Sequence, residues 1–435
     1  VNLASLTGLF AAAGCTKLFA KVLAENDNSK NQVYFGPDFE ALNLFPTQGV
    51  VADSNPKKAI FKARLRFAWL REDGTAADAP GAQLILYPQY PEVRFSGFLK
   101  GARDAPSALM APRLPGRVLF LGVTADNRVL GFVVAPDSME AVQFRALAPA
   151  EPVGLFIPVD LPTVPGYVDS RGRLLEELRR VHRCGWIDSK QLAEDGTLAP
   201  CKAPQCGGFT LEAELGIPKN SRSEPDFFGW EVKQHAVPSF ARIVSGTAIT
   251  LMTPEPTGGI YKEAGVESFV RRFGYPDRRN RPDRLNFGGI HRANVRQSST
   301  GLTLKIAGYN ESTAKITDPA GCIALVSDSD EVAASWSFSG ILAHWSRKHS
   351  RAVYVPSMRR KDPRWQYAYG GTVRLAMRTD PLRFLAALAA GAIYYDPGIK
   401  LEHQSGRPAV KRRSQFRVAS RALDTLYERI ESVAL

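Results

Sequence analysis

Five prolines, Pro149, Pro152, Pro158, Pro162 and Pro165, crowd into the stretch Ala148–Gly166. Each lacks a backbone N–H and fixes φ near −65°, so neither a helix nor a central strand runs through such a segment. The chain is therefore expected to fold as two bodies, residues 1–150 and 166–435, joined by a linker at 151–165. With 435 residues it is long enough for this, since domains usually hold about 100–200.

Before the prolines the sequence reads as strands. Alternating or short apolar runs bounded by turn residues occur at Gln32–Phe35, Ala59–Trp69, Gln83–Tyr87, Val93–Phe98, Arg117–Val123 and Val129–Val134. The helical spacing of Leu6, Leu9, Phe10, Leu18, Phe19 and Val22 predicts a helix over Ser5–Ala24. Beyond the prolines, Leu174, Leu175, Leu178 and Val181 predict an amphipathic helix over Arg171–Val181. Further helices are expected at Leu382–Ala390 and, from Leu423, Leu426 and Ile430, at Ala419–Ile430.

The formal net charge is +13, and Arg271, Arg272, Arg278, Arg279, Arg281, Arg284, Arg292 and Arg296 fall in one stretch. Such a field favours a polyanion, although a basic surface can also serve solubility alone. No apolar run approaches the ~20 residues that span a bilayer, and Val1–Ala13 has neither the basic flank nor the cleavage site of a signal peptide. A cytoplasmic protein without a membrane partner is expected. Five cysteines are too few and too scattered for a disulfide scaffold. His182, Cys184, Cys201 and Cys206 form two close pairs that could hold a structural zinc or remain ordinary thiols.

The chemistry concentrates between Phe209 and Gln234. Phe209–Gly216 predicts a short helix that buries Leu211 and Leu215, stops at Gly216 and carries Glu212. Pro225-Asp226 follows, and then a strand, Trp230-Glu231-Val232-Lys233-Gln234. Side chains alternate along a strand, so Glu231 and Lys233 share one face while Trp230 and Val232 share the other. Phosphodiester hydrolysis needs such a set. Asp226 and Glu231, with the Val232 carbonyl, can hold Mg²⁺, with Mn²⁺ able to substitute. Lys233 can orient and stabilise the attacking water, and Glu212 can add a carboxylate to the metal or the water. Acidic-x-lysine on a strand also occurs by chance in many proteins.

The longer string GGFTLEAELGIPKNSRSEPDFFGWEVKQ, Gly207–Gln234, resembles the core of the MvaI/BcnI family of restriction endonucleases. That family is similar to the mismatch-repair nickase MutH and belongs to the PD-(D/E)XK superfamily. TLMTPEPTGGIY at Thr250–Tyr261 and KHSRAVYVPS at Lys348–Ser357 extend the resemblance. It implies that Glu212, Asp226, Glu231 and Lys233 are the catalytic set. It further implies a monomer that nicks one strand and then the other, at a short site such as CCWGG, in a restriction-modification system with a cognate methyltransferase. Lys21–Phe35 and Leu44-Phe45-Pro46 are similar to the effector-binding domain of the restriction enzyme EcoRII. This implies a mostly β, B3-like pseudobarrel at 1–150 that binds a second copy of double-stranded target DNA, ahead of an α/β nuclease domain at 166–435. The loop Glu25–Gln32 departs from that pattern, being shorter and without glycine.

Candidates for DNA contact are Arg278, Arg279, Arg281, Arg284, His291, Arg292, His344, Arg359, Arg360 and Lys361 in the second half, and Lys62 and Arg64 in the first. Most would meet phosphates, since half or more of protein–DNA hydrogen bonds go to phosphate and sugar. The rival readings are a MutH-type nicking or repair enzyme, which the separate β-rich first half disfavours, and a non-catalytic DNA-binding module, which the intact acidic and lysine set disfavours.

Overall fold

The computed structural model describes residues 2–25, 32–37, 41–53, 60–88, 92–112, 114–147, 152–162, 170–202, 206–219, 225–278, 281–404 and 407–435. The chain divides into two compact units, Val1–Asp169 and Ser170–Leu435. Among the described residues no helix is long and apolar enough to cross a membrane.

The first unit holds two open sheets. One runs in the order Ile157–Pro158, Cys15–Val22, Val118–Thr124, Val129–Val134, Phe67–Leu70, Ala76–Asp78. The other runs Gln32–Gly36, Glu92–Ser96, Gln83–Tyr87, Phe61–Leu65, Thr47–Ala52. Neither path closes on itself, so the B3-like pseudobarrel expected from the sequence is not formed. The predicted run Ala59–Trp69 does not continue as one strand. Leu65 ends in one sheet and Phe67 begins in the other, with Arg66 between them. The sheets pack through aromatic rings instead: Phe35 and Phe95 of one stack at 5.1 Å, and Phe95 meets Phe67 of the other edge-on at 5.0 Å.

Two further expectations change here. The helix read over Ser5–Ala24 stops at Ala12, because Gly14 takes φ +80° and lets the chain turn into the strand Cys15–Val22. Leu18 and Phe19 are buried on that strand. The stretch read as linker supplies an edge strand, Ile157–Pro158, and buries Phe156, Val159 and Leu161. Proline is tolerated at such an edge.

In the second unit the elements that carry the chemistry are helix α1 (Ser170–Arg183), helix α2 (Cys206–Glu214), strand β1 (Glu231–Ala236), helix α3 (Phe338–His349) and strands β2 (Arg351–Lys361), β3 (Trp365–Tyr369), β4 (Thr372–Met377) and β5 (Arg429–Ala434). The central strand is β2. It pairs in parallel with β1 through Glu231↔Ala352 to Ala236↔Ser357, and antiparallel with β3 and β4, with β5 beyond β4. Leu174, Leu178 and Val181 of α1 and Leu211 of α2 pack with Trp230, Val232, Val353 and Val355 into one core. The helix expected at Ala419–Ile430 is instead a 3-10 turn, Ser420–Thr425, followed by β5. Leu423 and Leu426 are buried as their spacing suggested, but the chain beyond them is drawn out as a partner for β4.

Candidate active site

Helix α2 delivers Glu212 because its start lies flush on the sheet. A β-carbon at Gly207 would come within 3.1 Å of Gln234 on β1 and of Tyr367 on β3, so glycine permits the approach. Tyr369 Oη donates to the Gly207 carbonyl at 2.8 Å, and Gly216 (φ +71°) ends the last turn. On β1 the alternation holds: Trp230 and Val232 lie in the core, while Lys233 Nζ donates to Glu231 Oε1 at 2.5 Å. Asp226 is fixed from the preceding turn by the Val232 N–H, which donates to Asp226 Oδ2 at 3.0 Å.

Glu231 is 1% exposed. Burial alone would raise its pKa, yet Lys233 and Lys348 on either side hold the carboxyl below its ordinary value. Burial would likewise lower the Lys233 pKa, and the Glu231 carboxylate, with Asp226 and Glu212 behind it, outweighs that, so the amine is raised. Asp226 and Glu212 behave oppositely. Burial, and then the Glu231 charge, push Asp226 up to about 6; burial, and then the Asp226 charge, push Glu212 up to about 7.

In the sequence Lys348 stands out only as the first residue of the stretch Lys348–Ser357. The structure brings its Nζ to 3.5 Å from Glu231 Oε1. No local sequence signal singles it out; it lies at the end of α3, just before β2, the strand paired with β1. His349 anchors that turn: its Nε2 faces the Leu251 carbonyl at 2.9 Å and its Nδ1 faces Tyr427 Oη at 2.8 Å. A carbonyl only accepts, so Nε2 carries the proton and Tyr427 donates to Nδ1.

The donor set fits a hard divalent cation in its chemistry. Glu212, Asp226 and Glu231 lie near enough to feel one another's charge, burial and repulsion raise the pKa of the first two, and the buried Glu231 Oε2 has no hydrogen-bond partner. As they stand, no three His, Cys, Asp or Glu side chains among the described residues are grouped closely enough to hold a metal. The zinc reading fails on geometry. Cys201 and Cys206 form a disulfide, His182 Nδ1 donates to the Tyr369 carbonyl at 2.7 Å, and Cys184 is exposed with its thiol on the Arg180 carbonyl.

The expected DNA-contact residues separate into groups. His291 is a correction: it is wholly buried, bonded at both ring nitrogens to Gly289 O and Thr300 Oγ1 and stacked on Phe287, and burial lowers its pKa to about 4. Arg284 is also committed internally, largely buried between Asp277 and Glu402. Lys62 pairs with Asp53 at 2.7 Å. Arg64, Arg278, Arg281, Arg292, Arg359, Arg360 and Lys361 are exposed, and His344 is half-buried on α3. Arg359 lies over Trp365 and Arg360 over Trp186, so the outer end of β2 presents a basic and aromatic hairpin. Arg279 lies outside the described residues.

An α/β unit that sets an acidic-x-lysine strand beside a helix-borne carboxylate is the frame of a PD-(D/E)XK-like nuclease. The model of the MvaI/BcnI restriction endonuclease family matches residues 175–427, more than half of the chain, and the chain belongs to that family. Membership makes it a restriction-endonuclease-like enzyme acting on double-stranded DNA, of a metal-dependent type. Among solved structures it is similar to the restriction endonuclease MvaI–cognate DNA substrate complex, at 18% identity and a TM-score of 0.47 over 61% of this chain and 99% of that one. It is also similar to MvaI in the absence of DNA, at 17% identity and a TM-score of 0.35 over 62% and 100%. No curated protein matches the chain.

Proposed function

We propose that this protein is a type II restriction endonuclease whose catalytic residues are Glu212, Asp226, Glu231 and Lys233, assisted by Lys348. The observation that carries the reading is the buried Glu231, held ionised by two lysines on its Oε1 while its Oε2 has no hydrogen-bond partner. Asp226, Glu231 and the Val232 carbonyl would hold Mg²⁺, or Mn²⁺ in its place, with Glu212 as a further ligand or as the partner of the water. When bound, such an ion polarises the scissile phosphate and offsets the charge that gathers on its oxygens. Lys233 orients the attacking water and stabilises it as its proton leaves. Glu212, where it serves as the partner of the water rather than as a ligand, is placed to accept that proton.

The target is CCWGG or a close relative, cut one strand at a time by a monomer with one active site. Residues 1–150 bind a second copy of the target as an effector, residues 166–435 carry the cleavage machinery, and a methyltransferase protects the host's own sites. Support for the two-part reading comes from the two compact units and from the exposed Arg64 in the first. A supercoiled plasmid with one CCWGG site tests the whole scheme. In Mg²⁺ the expected course is a nicked circle and then a linear molecule, faster when a short duplex carrying the site is added. Cleavage in EDTA would refute the metal, and fragment ends outside CCWGG would refute the target. Full activity of Asp226→Ala would refute the site.

A further inference from the structure

The turn between Asp226 and β1 carries a residue that the fold does not ask for. Phe227 and Trp230 exchange both backbone hydrogen bonds, at 2.9 and 2.8 Å, which leaves Phe228 and Gly229 as a two-residue loop. Both take positive φ, +46° and +84°. That is the loop which Asn-Gly and Asp-Gly dominate, because a β-carbon resists the left-handed region and a bulky side chain resists it more. Gly229 meets the requirement, and a β-carbon there would have open space around it. Phe228 does not meet it.

Nor is the Phe228 ring recovered by the core. Its side chain is 48% exposed, whereas Phe227 beside it packs on the buried cluster around Trp230. The ring meets the Phe227 ring edge-on at 4.7 Å and the Arg173 guanidinium of α1 at 4.7 Å from its centroid. Arg173 is itself exposed, and no carboxylate among the described residues pairs with it. A single exposed aromatic is ordinary on a protein surface. One kept in a disfavoured conformation, two residues from Asp226 and three from Glu231, is a reason to look for a function.

We infer that Phe228 is a DNA-contacting residue. Its ring packs on the sugar and base of the strand whose scissile phosphate lies at Asp226 and Glu231, while Arg173 takes a neighbouring phosphate. The chemistry suits nucleic acid, since a flat apolar ring accepts the face of any base and an exposed guanidinium beside it accepts the phosphate. The contact is to one face of the strand and tolerates any base, so it positions the reacting phosphate and does not read sequence. This rests on the nuclease reading of the site above.

The test uses the full-length protein and a duplex centred on the site that the wild type cuts, with 2-aminopurine beside the scissile phosphate. Phe228→Asn restores the favoured Asn-Gly loop and is expected to melt at or above the wild-type temperature. It should bind the duplex in Ca²⁺ about 5- to 150-fold more weakly, the range for one base–aromatic contact. Phe228→Trp should bind as the wild type does. Binding should change the 2-aminopurine fluorescence with wild type and Phe228→Trp, and leave it unchanged with Phe228→Asn. Wild-type binding and cleavage by Phe228→Asn would overturn the inference. So would a lowered melting temperature in Phe228→Asn together with the same 2-aminopurine change on binding as the wild type shows, since the ring would then be packing only. Asp226→Ala run in parallel separates the two levels. If it cuts at the wild-type rate, the site itself is misplaced. If it is inactive while Phe228→Asn is normal, only the Phe228 inference falls.

Discussion

The segments Asp226–Lys233 and Tyr275–Arg296 look equally eventful as sequence, and the fold uses their charges in opposite ways. In the first, charged groups are buried against one another: Glu231 is inaccessible, Lys233 and Lys348 lie on it, and Asp226 and Glu212 are held with raised pKa. In the second they are dispersed. Arg284 is taken up by Asp277 and Glu402, His291 by the core, and Arg278 and Arg281 stand in solvent. Burial of unlike and like charges together costs free energy that folding alone does not return, and it marks a site where chemistry is done. Charges that each find a local partner, or water, mark structure or a diffuse electrostatic surface.

The largest effect should follow from breaking the first arrangement. Lys233→Ala is expected to slow single-turnover cleavage by about 100- to 1,000-fold, the scale for one lost group that stabilises transition-state charge. Duplex binding in Ca²⁺ should persist. Lys348→Ala should fall in the same direction, and the two losses should not simply add, since both amines act on Glu231. A double-mutant cycle on the cleavage rate checks this. Rates that multiply independently would show Lys348 acting elsewhere.

The second segment should answer with stability. His291→Ala removes a buried ring bonded at both nitrogens, and the expected cost is about 2–4 kcal/mol of folding free energy by chemical denaturation. The cut sites should be unchanged. A shift in sequence preference without loss of stability would return His291 to the DNA interface.

A smaller effect separates the regions by pH. Glu212 and Asp226 have folded pKa values of about 7 and about 6, above the ordinary 4.5 and 3.8, so the folded state holds their protons more tightly than the unfolded one. Their contribution therefore favours the fold below pH 4, and it is lost as pH rises through about 4 to 7. Metal-free protein should melt at lower temperature at pH 7.5 than at pH 5.5, Glu212→Gln should flatten that dependence, and Mg²⁺ should stabilise most at the higher pH. Thermal melts in EDTA and in Mg²⁺ check all three.

How much of this was legible in the sequence depends on range. Glu231 and Lys233 share a face because a strand alternates, and Gly216 stops α2 because it takes positive φ; both are local rules that short windows reveal. The Arg171–Val181 helix was legible for the same reason. Lys348 was not, because it reaches Glu231 only through the parallel pairing of β1 with β2, more than 100 residues apart in the chain. Cys201 and Cys206, legible only as half of a zinc site or as ordinary thiols, close on each other as a disulfide while the Tyr369 carbonyl takes His182, a pairing that the spacing alone did not indicate. Many of the first unit's strands were legible, but Cys15–Val22, Thr47–Ala52, Ala76–Asp78 and Ile157–Pro158 were not, and the division into two open sheets turns on Arg66, where the chain passes between sheets without a composition change. The helical spacing of Leu18 and Phe19 was satisfied equally well by a strand that buries both, with Val22 left exposed at its end, an ambiguity that periodicity alone does not resolve.

The smallest expected effect falls on Arg281, an exposed residue of the second segment with no ion pair among the described residues. If the dispersed arginines act only through the field they create, Arg281→Ala should leave the melting temperature and the cut sites as they are, since exposed substitutions stay within about 0.5 kcal/mol. Its trace should appear in salt dependence. Each phosphate neutralised by a basic side chain releases condensed counterion, so losing one contact should reduce the slope of log K against log salt by about 1. Titrating a labelled duplex in Ca²⁺ at several salt concentrations measures that slope directly. An unchanged slope would place Arg281 away from DNA and move the electrostatic footprint to the Arg359, Arg360 and Lys361 hairpin. A changed cut site would mean that the residue reads a base. Either result would erase part of the contrast between the two segments, whereas a slope lowered by one with all else constant would leave it sharper.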